Sequence, residues 1–181
     1  MTDLGVNEPA APAPGPVAVL IGSPGAGKSS VGRRVAELLR IPFADSDALV
    51  EAQAGMSVSD IFISRGEDQF RLLEEQVIAT ALAGSGGVLA LGGGAVLRPQ
   101  TQERLVGHRV VWLRVSLSDA VRRVGLNTAR PLLLGNVRAT LGKLLEQRTP
   151  IYEQVATDIV DTDGRGVRDV ARAVVEVLRH D

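Results

Sequence analysis

The chain has 181 residues, 45% of them hydrophobic and 23% charged, and its 20 basic and 21 acidic side chains leave a net charge of -1. That length and mix suit one globular domain with its own core, and the near-neutral balance gives no electrostatic footprint for nucleic acid or an anionic membrane. The absence of Cys excludes disulfides, thiolate metal sites and cysteine nucleophiles, two His (His108 and His180) are too few for a His-based zinc site, and three Phe, one Trp and one Tyr make poor base-stacking platforms.

Residues 1–16 hold four of the nine prolines and almost no large apolar side chains, which predicts a disordered tail. Asp3 and the lack of a basic region before an apolar segment argue against a signal peptide. The longest apolar and glycine-rich run, Gly86 to Leu97, is too short to span a bilayer, so the expected compartment is the cytoplasm. Order is expected from Val17 to Ile21, an uninterrupted apolar strand of the kind buried on both faces of a parallel sheet.

A turn over Gly22–Gly27 leads into a helix from Lys28 to about Arg40, with Val31, Val35, Leu38 and Leu39 on one face. Ile41 to Ala44 reads as a short second strand, followed after Asp47 by helix. Ser57 and Asp60 resemble a capping box for a short helix through Phe62. A longer helix from Glu67 to Ala83 should turn Phe70, Leu73, Val77, Ile78 and Leu82 inward. Val88 to Leu91 predicts a buried strand ended by Gly92-Gly93-Gly94, and Pro99 can open a short helix. Arg109 to Val115 is the next strand. Ser118 should cap a helix through Val124, and Gly125 to Asn136 is a loop. A helix over Val137–Arg148, a last strand over Ile159–Asp161 and a final helix over Val167–Arg179, with Val167, Val170, Val174 and Val177 on one face, complete the chain. Strands alternating with helices predict an α/β fold with a five-stranded, mainly parallel sheet flanked by helices. In such sheets ligands bind beyond the carboxyl ends of the strands.

Gly22-Ser23-Pro24-Gly25-Ala26-Gly27-Lys28-Ser29 fits G-x-x-x-x-G-K-[ST] and stands between a predicted strand and a predicted helix, the context that this phosphate-binding loop requires. Only two lysines occur in the chain, and one of them is Lys28. Backbone N–H groups of the loop would wrap phosphates, Lys28 would neutralise charge between the β- and γ-phosphates, and the Ser29 hydroxyl would ligate Mg²⁺. The loop specifies a nucleotide and Mg²⁺ without specifying the reaction, but no N-K-x-D guanine signature follows and the chain is too short for a motor, which leaves small kinases as the remaining class.

Asp45 and Asp47 leave the second strand in an Asp-x-Asp arrangement, which would project both carboxylates to one side. One could sit near the metal and the other near an acceptor hydroxyl, although the following helix could equally use them as N-terminal caps. The three glycines at 92–94 would let a substrate approach the backbone and offer N–H donors, or simply form a flexible turn. Arg71, Arg130 and Arg148 stand at the start of a helix, in a loop before Pro131 and near the end of the next helix.

Taken as an ordered set, Gly25-Ala26-Gly27-Lys28-Ser29, Asp45-Ser46-Asp47, Asp60-Ile61-Phe62, Gly66-Glu67, Phe70-Arg71 with Glu74-Glu75, Leu91-Gly92-Gly93-Gly94-Ala95, Arg130-Pro131-Leu132-Leu133 and Arg148, Pro150 and Tyr152 resemble the shikimate kinase family, of the nucleoside-monophosphate-kinase-like P-loop group. The likeness covers nearly everything from Val17 to the last helix. It implies one P-loop kinase domain over 17–181 with a mobile lid at about 125–137; the sequence itself shows no clear exposed oligomerisation stripe, which makes a monomer the default expectation. The implied reaction is ATP-dependent phosphorylation of the 3-hydroxyl of shikimate, in the pathway to chorismate and the aromatic amino acids.

The resemblance also implies roles. Gly25, Ala26, Gly27, Lys28, Ser29 and Ser30 would hold the nucleotide phosphates, and Arg130 would reach them from the lid. Asp45 would hold Mg²⁺ through water. Asp47 would hold and activate the hydroxyl. Arg71 and Arg148, with the Gly92–Gly94 backbone and Gly93 N–H in particular, would bind the substrate carboxylate. Arg123 and Arg165 match positions near the adenine. Two rivals are a gluconate-type sugar kinase, against which Phe70-Arg71 and the triglycine argue, and a nucleotide-binding module without catalysis, against which the intact Lys28, Ser29, Asp47, Arg71, Arg130 and Arg148 argue.

Overall fold

The structure is a computed structural model that describes residues 15–84, 86–125 and 136–180. Residues 1–14 of the expected tail, and the lid segment with Arg130, lie outside the described residues.

The apolar runs form five parallel strands: β1 (Ala18–Ile21), β2 (Phe43–Asp45), β3 (Val88–Ala90), β4 (Val110–Arg114) and β5 (Asp158–Asp161), in the order β2-β3-β1-β4-β5. β1 lies at the centre and all four of its residues are buried. Alternate side chains enter two separate cores. Leu20, Val111 and Leu113 face one side, where α1 (Lys28–Leu39) and α7 (Val167–Arg179) pack. Val19, Ile21, Leu89, Val110 and Trp112 face the other, against α3 (Val58–Leu82) and α4 (Pro99–Leu105). Both faces are covered, so the inner strands β1, β3 and β4 need little polar alternation and their apolar runs follow from that, while the edge strands β2 and β5 are only partly buried and carry Asp45, Asp158 and Asp161.

Several local expectations change. Asp45 is the last residue of β2 and caps α2 (Ser46–Ala54), accepting the Asp47 N–H at 3.0 Å; Asp47 lies in the first helical turn, not on a strand. The segment through Phe62 and the longer helix after it form α3, which Gly66 (φ 82, ψ 169) bends where the two were expected to part. Helix α5 (Leu117–Gly125) is capped by Ser116, whose Oγ accepts the Asp119 N–H at 3.2 Å, rather than by Ser118, which lies inside it.

Helix α6 (Val137–Val155) runs past Arg148 and through Pro150. Its Leu141 is buried in the first core and its Tyr152 in the second, so burial at both ends outweighs the one hydrogen bond that proline removes. On α7 the buried residues are Val170, Ala171, Val174 and Val175, while Val167, expected inward, is 44% exposed.

Candidate active site

At the carboxyl ends of β1, β2 and β3 the chain opens a cleft of about 530 Å³, lined by Gly25 to Ser30, Asp45, Asp47, Gly92, Gly93, Arg123 and Arg165. Its volume falls in the range of small-ligand sites. The phosphate loop forms one wall. Gly25 (φ 83) and Gly27 (φ 86) take left-handed backbone conformations that aim the loop's amides inward and start α1. Lys28 Nζ donates to Gly22 O at 2.7 Å and Ser23 O at 3.1 Å, which places its charge at the lip of the loop. Ser29 Oγ donates to Asp45 Oδ2 at 2.5 Å, so the hydroxyl and the carboxylate meet at the start of α1.

The triglycine turn after β3 is the opposite wall, and its glycines are needed for close approach. A Cβ on Gly92 would stand 2.8 Å from both Asp47 Oδ1 and Glu74 Oε1, and one on Gly93 would stand 3.1 Å from Arg148 Nη1. A Cβ on Gly94 would overlap the Arg71 guanidinium. Any side chain here would therefore push out the groups that the sequence singled out. Asp47, Arg71 and Arg148, distant in sequence, converge on one short turn. The Gly92 N–H, expected to face a ligand, instead donates to Ser46 Oγ at 2.8 Å, so it serves the protein's own structure.

Charge on this wall is organised around Glu74, which is 1% exposed. Its Oε2 accepts Arg71 Nη1 at 2.6 Å. Burial raises the Glu74 carboxyl above its ordinary value and nearby Asp47 adds to that, while Arg71 and Arg148 oppose it. Tyr152, also 1% exposed, donates from its hydroxyl to Gly93 O at 2.6 Å, and burial pushes its phenol up to about 12.

Ser46, Glu74 and Tyr152 were visible only as members of the quoted motifs, with no part assigned. Glu74 sits at a core-facing position of α3, three residues after its partner Arg71, a spacing at which helical side chains meet.

Arg123 lies behind the glycine-rich loop, where Nη1 donates to Gly25 O (3.2 Å) and Thr162 Oγ1 (3.0 Å) and Nη2 to Thr162 O (2.5 Å). Arg165 donates to Asp161 O and Asp169 O, at 2.9 and 3.1 Å. Both border the cleft beside Val167, where a planar base could lie. No group of three or more His, Asp or Glu side chains suited to a metal occurs among the described residues, and Ser29 Oγ and Asp45 Oδ2 are adjacent oxygen donors in the cleft.

A family model described as shikimate kinase matches residues 24–179. The shikimate kinase of Thermobifida fusca (strain YX) is 55% identical over 163 residues, covering 90% of this chain and 95% of that protein. That of Salinispora tropica is 57% identical, covering 90% and 98%. Among solved structures, shikimate kinase from Acinetobacter baumannii in complex with shikimate superposes with a TM-score of 0.84 at 33% identity, covering 90% of this chain and 93% of that one.

Proposed function

The chain belongs to the shikimate kinase family, and we propose how its own residues carry a phosphoryl group from ATP to the 3-hydroxyl of shikimate. The products are shikimate 3-phosphate and ADP, on the way to chorismate. The observation that carries the residue assignment is the convergence just described: a phosphate loop on one wall of the cleft, Asp47 with Gly92 and Gly93 on the other, and the Arg71 and Arg148 guanidiniums packed against that same turn.

Amides of the loop from Gly25 to Ser30 hold the nucleotide phosphates, and Lys28 bridges the transferred group. The Ser29 hydroxyl and Asp45 carboxylate are hard oxygen donors side by side, which fits Mg²⁺ bound by Ser29 directly and by Asp45 through water. When bound, Mg²⁺ supplies charge neutralisation for the transferred phosphoryl group. Arg71 and Arg148 take the substrate carboxylate through paired hydrogen bonds, with Gly93 N–H and the Gly94 backbone as the floor. Asp47 orients the 3-hydroxyl and receives its proton as the oxygen–phosphorus bond forms and the bond to ADP breaks.

Arg130, in the lid segment, adds charge at the phosphates, and Arg123 and Arg165 flank the adenine. A cytoplasmic protein is the form that composition and charge support, and monomer is the default form; no helix among the described residues is long and apolar enough to cross a membrane.

Asp47→Asn keeps the shape and one acceptor but loses the charge. With ADP release followed in a coupled assay, turnover should fall by on the order of 10²-fold or more while ATP affinity by calorimetry stays close to wild type. Loss of ATP binding with turnover nearly intact would reverse the roles of Asp45 and Asp47.

A further inference from the structure

Two buried hydroxyls grip the triglycine turn, and the mechanism above uses neither. Ser46 Oγ accepts the Gly92 N–H at 2.8 Å, and Tyr152 Oη donates to Gly93 O at 2.6 Å. Ser46 is 0% exposed and Tyr152 1%, so water does not stand ready to replace either bond. They reach the turn from different elements. Ser46 lies between Asp45 and Asp47 at the start of α2, and Tyr152 lies one helical turn beyond Arg148 on α6.

Each hydroxyl thus ties one substrate-facing side chain to the peptide against which that side chain rests. Asp47 rests on Gly92, which Ser46 holds, and Arg148 rests on Gly93, which Tyr152 holds. The second tie matters more than usual because Pro150, between Arg148 and Tyr152, removes one backbone bond from that turn of the helix. Side-chain anchorage must supply what the backbone lacks. The ring of Tyr152 is itself wedged 5.8 Å from that of Trp112, so the hydroxyl is held in place from behind.

We propose that Ser46 and Tyr152 are positioning residues with separate duties: Ser46 sets Asp47 against the turn and so governs the chemical step, while Tyr152 sets Arg148 against the turn and so governs capture of the substrate carboxylate. The proposal rests on the assignments of Asp47 and Arg148 made above.

Steady-state kinetics of Tyr152→Phe, Ser46→Ala and Arg148→Lys, with shikimate and ATP varied in turn, test it. Loss of one buried hydrogen bond corresponds to about a tenfold effect. Tyr152→Phe should raise the KM for shikimate by about tenfold with kcat within about threefold of wild type. Ser46→Ala should do the opposite, lowering kcat by about tenfold with KM within about threefold. The KM for ATP should hold in both. If Ser46→Ala fails to fold by circular dichroism, Ser46→Cys, which keeps the volume and weakens the acceptor, takes its place with the same expected fall in kcat.

General loosening of the fold would move kcat and both KM values together, and that result, or no change in either variant, overturns the proposal. Arg148→Lys separates the two levels. If it leaves the KM for shikimate unchanged, the carboxylate assignment fails and the duty of Tyr152 with it. If it raises that KM and Tyr152→Phe does not, the assignment stands and the duty of Tyr152 is refuted.

Discussion

Glu74 burdens the fold and serves the site. One carboxylate oxygen holds Arg71, and the other, Oε1, is buried without a hydrogen-bond partner among the described residues. Its raised folded-state pKa means that ionisation is harder in the folded protein than in the unfolded chain. Its favourable contribution is complete below the unfolded-state value and is lost as pH rises through the folded one. Glu74→Gln removes that dependence. Melting curves should show the variant gaining on wild type as pH rises above the ordinary glutamate range, while its KM for shikimate rises because Arg71 loses a charged anchor. A difference in melting temperature that stays flat as pH rises would contradict that role for Glu74.

Such a residue is hard to read from sequence. Position 74 falls on the apolar stripe of α3, among Phe70, Val77 and Ile78. It reads as an interruption until the fold brings Gly92 and Asp47 to it. Lys28, Asp47, Arg71 and Arg148 were legible because their motifs are charged and spaced in a recognisable order.

At the scale of elements, the exceptions to helix rules mark where the site is built. Gly66 takes φ 82 and ψ 169, a region that only glycine occupies at ease, yet a Cβ there would meet nothing within 4 Å. Its role is backbone geometry alone. Gly66→Ala should therefore cost about 1–3 kcal/mol in urea unfolding. Gly55, a left-handed cap (φ 69) with equally open surroundings, should lose less on the same change, at about 1 kcal/mol. A Gly66→Ala penalty no larger than that at Gly55 would mean that the bend is not held as described.

The helix expected from Glu67 joins the segment before it across Gly66, and the helix expected to end at Arg148 continues through Pro150, because Leu141 and Tyr152 anchor α6 on either side. Asp47 was expected beside Asp45 through strand alternation. It arrives there through a cap instead, since a carboxylate that ends a strand readily starts the next helix.

Across the whole molecule, the apolar runs of the inner strands pointed to a sheet covered on both faces, and the loop after β1 pointed to a nucleotide-binding edge. The strand order β2-β3-β1-β4-β5 was not legible, since nothing local in a buried run names its neighbour. That order places β1 between β3 and β4, and so sets the phosphate loop opposite the triglycine turn. We propose that this turn, with Arg71 and Arg148 packed against it, recognises a carboxylate.

A guanidinium pairs with a carboxylate through two parallel hydrogen bonds, which lysine does not copy. Removing one partner of such a buried pair costs about 2–5 kcal/mol. The most direct measurement is kcat/KM for shikimate and for its methyl ester, in wild type, Arg71→Lys and Arg148→Lys. Wild type should favour the acid strongly, and each substitution should shrink that preference by at least about tenfold, with the KM for ATP nearly unchanged. If both variants discriminate acid from ester as sharply as wild type does, the two guanidinium groups do not read the carboxylate, and the assignment of the second wall is wrong.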